Sequence, residues 1–90
     1  MKTIEFDACK LTDLIMSEYG VDFSVPSFME GQRKITMDVY NGKIDDDVLA
    51  DFKENGKNVE DPDDVLECVL ADLCFRKKLK AGYYLICFDD

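Results

Sequence analysis

Residues Tyr83-Tyr84-Leu85-Ile86-Cys87-Phe88 form an unbroken apolar run between Gly82 and the aspartates Asp89 and Asp90. Six residues are too few for a stable helix and far short of the roughly 18 that a membrane span needs. Bounded in this way, the run reads as a strand buried on most of both faces. The chain has 90 residues, enough for one domain that buries roughly 60–65% of its unfolded surface. Hydrophobic residues make up 47% of it, too many for disorder even at a net charge of −9.

The remaining elements follow from periodicity. Ile4, Ala8, Leu11, Ile15 and Tyr19 fall within about 80° on a helical wheel, so a helix ends at Gly20. Its start is open, since Lys2–Phe6 also fits a short strand with Asp7 as N-cap. Val21, Phe23 and Val25 alternate with polar residues, and so do Ile35, Met37 and Val39. With Glu30-Gly31-Gln32 between them, the two runs read as a hairpin. Asn41-Gly42 is a tight-turn signal that could lead into a brief strand at Lys43–Ile44. Asp45-Asp46-Asp47 opens a helix through about Glu54. Asp61-Pro62-Asp63-Asp64 opens another, with Asp61 as N-cap and Pro62 at the first helical position. Val65, Leu66, Val69, Leu70 and Leu73 form its core stripe, and Arg76, Lys77, Lys78 and Lys80 suit the negative end of its dipole before Gly82 closes it. The expected class is α+β: a small antiparallel sheet, made of a hairpin and the C-terminal strand, packed against about three helices.

Several chemistries are unsupported by the residues. The chain contains no histidine, so no Ser–His or Cys–His nucleophile can be assembled. Its glycines stand singly, without a phosphate-binding loop. Cys9, Cys68, Cys74 and Cys87 lack Cys-x-x-Cys spacing, and no secretory signal accompanies them, which points to reduced structural thiols. The closest match to a calcium loop starts at Asp51 but places Lys53 and Pro62 where ligands are required. No serine follows an aspartate at a helix start, as a carrier protein would need. No enzyme, metal or cofactor is expected, and the absence of a signal-peptide core leads to the expectation of a cytoplasmic protein.

What stands out is the placement of charge. Residues 45–72 hold Asp45, Asp46, Asp47, Asp51, Glu54, Glu60, Asp61, Asp63, Asp64, Glu67 and Asp72 against Lys53 and Lys57. The other 62 residues hold nine acids and nine bases, so the whole net charge belongs to one helix–loop–helix. Dipole complementarity explains the acids at helix starts but leaves Asp51, Glu54, Glu60, Glu67 and Asp72 without a folding role. Acids one helical turn apart lie about 5–6 Å from each other, and such a ridge can imitate the anionic spacing of nucleic acid. The expected partner is therefore a basic nucleic-acid-binding protein; the same charge disfavours direct binding to nucleic acid. Cys68, Phe75 and Leu79 form a separate stripe about 130° from the core stripe. It either wedges the helix between two layers or offers an apolar anchor beside an acidic rim.

The stretch ADFKENGKNVEDPDDVLECVLADL, residues 50–73, resembles the segment joining the last two helices of a small acidic anti-CRISPR protein of phage origin. Members of that group include α+β inhibitors of Cas9 that act as DNA mimics, with an order of helix, small antiparallel sheet and two helices. The resemblance implies that acidic residues within 45–64 occupy the site where Cas9 reads target DNA. Two other functions fit the composition. One is an immunity or antitoxin protein that neutralises a basic nuclease; the other is a small assembly domain using the apolar stripe. The chain is expected to be a monomer or a weak homodimer.

Overall fold

The computed structural model describes residues 3–23 and 34–87. Strand β1 (Thr3–Asp7) runs directly into helix α1 (Ala8–Tyr19). Asp7 makes the junction, since its side chain accepts the backbone N–H groups of Cys9 at 2.8 Å and Lys10 at 3.2 Å. That cap satisfies two donors the helix cannot pair internally, so strand and helix need no linker. Of the two readings of this segment, the strand is the one adopted. Gly20, in the left-handed region at φ 68°, closes α1 with its N–H on the Met16 carbonyl.

Strand β2 (Lys34–Val39) follows, then helix α2 (Asp46–Asn55), a 3₁₀ turn (Gly56–Asn58), helix α3 (Pro62–Phe75) and strand β3 (Gly82–Cys87). The class is α+β; among the described residues, three helices and a three-stranded sheet pack around one core. The sheet order is β1-β3-β2, with β3 parallel to β1 and antiparallel to β2. It is therefore mixed, not antiparallel. The expected hairpin also fails where it can be followed. Val21–Phe23 is not strand, although Val21 and Phe23 are buried, and residues 24–33 lie outside the described residues. Alternation marked Val21 and Phe23 as the inward side of a half-buried strand; they are buried without a strand, and the Phe23 ring packs on α2, meeting Phe52 edge to face at 5.0 Å. Lys43–Ile44 forms no strand.

Two rows of side chains cross the inner face of the sheet, Ile4–Tyr84–Met37 and Phe6–Ile86–Ile35. Tyr84 and Ile86 are fully buried against Leu11 and Ile15 of α1 and the predicted stripe of α3, all five residues of which are buried. On the other face Tyr83, Leu85 and Cys87 are only half-buried. Over Tyr83–Cys87 the C-terminal run is thus covered completely on one side and partly on the other; Phe88 lies outside the described residues.

Helix α3 ends earlier than the basic cluster suggested. Arg76 caps it, Lys77 takes φ 64°, and the N–H groups of Lys77 and Lys78 bond back to the carbonyls of Cys74 and Leu73. This is a Schellman closure with lysine where glycine is usual. Arg76, Lys77, Lys78 and Lys80 consequently lie beyond the helix, in the turn that leads to β3. Because a side chain is disfavoured at positive φ, Lys77→Gly is expected to stabilise the fold by about 0.5–1 kcal/mol in urea unfolding, with an unchanged m-value.

Candidate functional site

Helices α2 and α3 and the link between them bring part of the acidic segment together. Asp45 and Asp61 occupy the two N-cap positions, but neither side chain makes a capping hydrogen bond. Asp61 was expected to cap α3; its carboxylate instead lies beside Asp64 at the helix start. The two face an open groove of about 600 Å³. Asp47 and Asp51 project into it from α2, Glu60 and Asp61 from the link, and Asp64 and Glu67 from α3. Val48, Val65 and Cys68 make an apolar floor. Six of the eleven acids singled out from the sequence thus rim one depression.

The remaining five separate. Asp46, Glu54 and Asp63 are exposed but do not line the groove. Asp45 acts on it at a distance, through its effect on Cys68. Asp72 is elsewhere and is 5% exposed. It accepts the Tyr19 hydroxyl and, at 3.2 Å, the Ile44 N–H, with Arg76 at 4.0 Å. Both its assignments therefore need correction. It has a folding role, and it presents no charge to a partner. Helical spacing sets Asp72 about 20° from Val65, at the edge of the core stripe, and the Ile44 N–H bonds it there from the loop before α2. Arg76 lies over the Tyr19 ring at 5.3 Å and pairs with Glu18 at 3.0 Å, so α1, α3 and the loop before α2 meet at one ionic cluster.

The groove's potential registers in its own groups. Asp61 beside Asp64, by charge repulsion and a shared hydrogen bond, holds the Asp64 carboxyl above the usual range, with Asp63 adding to the effect. Burial pushes the Cys68 thiol up, and Glu67, Asp64 and Asp45 push it further. Cys68 and Leu79 pack against the core, whereas Phe75 is 53% exposed. The stripe Cys68–Phe75–Leu79 is thus not one surface, and Leu79 lies past the helix end. Among the described residues no group of three or more acidic or sulfur side chains is arranged to hold a metal ion, and no helix is long and apolar enough to cross a membrane.

Sequence reasoning missed one neighbour of the groove, Tyr40, which is 72% exposed. A large aromatic residue where a strand meets Asn41-Gly42 was a usable signal. No protein-family model, curated protein or solved structure matches the chain.

Two measurements test this geometry. A cationic methanethiosulfonate should modify Cys68 on the order of tenfold faster than an anionic one, with the ratio shrinking as salt is raised; peptide mapping isolates Cys68 from the other thiols. Burial, together with the hydrogen bond to Asp72, raises the Tyr19 hydroxyl well above its ordinary value of 10.0. Its contribution is therefore fully present below about pH 10 and is lost as pH climbs toward the raised value. Tyr19→Phe should flatten the fall in stability above pH 10, read by urea unfolding at stepped pH.

Proposed function

We propose that the chain is a non-enzymatic inhibitor that presents the α2–α3 acidic surface to a basic nucleic-acid-binding protein, most concretely as an anti-CRISPR protein blocking a Cas effector. The observation that carries this reading is the convergence of six carboxylates, from two helices and their link, on one groove. Only two of the acids of this segment, Asp45 and Asp61, sit at N-caps, and neither side chain bonds the helix it precedes. Their charge is directed outward instead. A protein groove built to hold nucleic acid carries lysines and arginines spaced for phosphates, and a carboxylate ridge competes for them. Attraction of this kind speeds encounter and weakens with salt. The apolar floor adds a surface for the methylene stems of the same lysines and arginines. The assembly reading is less favoured, because Cys68 and Leu79 pack partly against the core while Phe75 stands exposed apart from them.

DNA cleavage by a purified Cas9 with its guide tests the reading. Addition of the chain should inhibit cleavage, less so at high salt. Asp51→Asn, Glu60→Gln and Glu67→Gln together should weaken inhibition at least about tenfold, since each exposed ion pair at an interface contributes modestly. Asp61→Lys, Asp63→Lys and Asp64→Lys together should abolish it. Full inhibition by both variants, each folded by circular dichroism, would sink the proposal. Inhibition of a basic nuclease in place of Cas9 would assign the same surface to an immunity protein.

A further inference from the structure

Glu67 and Cys68, on the rim of the acidic groove, also border a second depression of about 300 Å³. Asp38 and Tyr40, at the end of β2, form its opposite wall, and Gly42 and Ala71 lie at its base. Tyr40 packs little of its ring, yet its position is held. Its hydroxyl donates to Asp38 Oδ2 at 2.7 Å, and the Gly42 N–H donates to the Ala71 carbonyl at 3.1 Å, which pins the loop to α3. Asp38, the exposed Tyr40 and Glu67 of α3 therefore border one small space. Lys80 lines a neighbouring depression together with Asp38, Tyr40 and Tyr83, and does not line this one.

We infer that this depression takes an arginine side chain of the basic partner, its guanidinium stacked on the Tyr40 ring between Asp38 and Glu67; the inference rests on the reading of the acidic groove as a partner surface. The chemistry selects arginine over lysine. A planar guanidinium lies flat on an aromatic ring and still directs N–H donors sideways to carboxylates, whereas an ammonium is a hydrated point charge. Hydrogen bonding to Asp38 keeps the Tyr40 hydroxyl protonated by raising its pKa, so the phenol oxygen stays anchored on Asp38. Shared rim residues make the depression continuous with the groove, so one basic segment can engage both. Tyr40 is then an aromatic anchor at the border of a charged surface, the type of residue that concentrates binding energy at interfaces.

Nona-arginine and nona-lysine peptides, equal in length and charge, provide the probe, with binding to the full chain read by fluorescence anisotropy at several salt concentrations. Nona-arginine should bind more tightly, and Tyr40→Ala should cut that preference by about two- to fivefold, the size of an exposed cation–π contact. Tyr40→Phe should keep most of it. Asp51→Asn with Glu60→Gln should weaken both peptides alike and leave the ratio unchanged. Equal affinity for the two peptides, or a preference unaltered in Tyr40→Ala, overturns the arginine site while the acidic groove stands. Failure of both peptides to bind at low salt overturns the groove reading and this inference together. Tyr40 is exposed, so an unfolding curve close to that of the unsubstituted chain identifies its effect as one on binding.

Discussion

Strand β3 is the constraint on which the other elements depend. It is the neighbour of both β1 and β2, which do not touch each other in the sheet. Each inner cross-strand row passes through it, at Tyr84 or at Ile86, and both residues are fully buried. The pairing of Thr3 with Tyr83 joins segments at opposite ends of the described chain. Long loop closure of this kind is recovered only when non-local contacts form together. The sheet is therefore assembled cooperatively with the helices, because α1 and α3 supply the apolar surface that covers its inner face.

The second organising feature is the buried carboxylate of Asp72. A charge in an interior is tolerated when its oxygens are hydrogen-bonded and a counter-charge is close. Tyr19, the Ile44 N–H and Arg76 meet those needs from three parts of the chain. In doing so they hold the loop before α2 against α3, and that loop sets where α2 begins. The groove between α2 and α3 depends on this arrangement. One acid of the segment thus acts as an internal tie, and the acids on the other side of the same helix remain available to solvent. Charge that looks uniform along the sequence is divided by the fold between a buried tie and an exposed surface.

The acidic surface is itself in tension with folding. Asp61, Asp63 and Asp64 at the start of α3 gain from the helix dipole, yet their mutual repulsion is large enough to raise the Asp64 pKa. Asp45 and Asp61 forgo the side-chain caps their positions allow. That surface retains unfavourable charge density and leaves caps unused, which supports the proposed role in binding a basic partner. The groove floor of Val48, Val65 and Cys68 and the exposed ring of Tyr40 extend the argument beyond charge, because they offer apolar area next to the carboxylates.

Read alone, the sequence determined the elements whose cause is local. The helix opened at Pro62 with its five-residue stripe (though not its end at Phe75), the helix opened by Asp45–Asp47, the strand after Gly82, the α+β class and the concentration of charge in residues 45–72 all follow from periodicity, end signals and composition. Ile4 shows the limit: its spacing fits a helical stripe and its alternation with Glu5 and Phe6 fits a strand. Only pairing with β3 decided for the strand. Tertiary structure alone also decided that the sheet is mixed, because alternation shows which face of a strand is buried and says nothing about its neighbour or direction. It decided that Asp72 is interior, since a helical wheel sets it at the edge of the core stripe beside Val65 but cannot show the loop that closes over it. Of the acids the sequence put forward, it gathered six at one groove and placed Tyr40 beside them, because convergence in space depends on how two helices cross and where a loop is pinned.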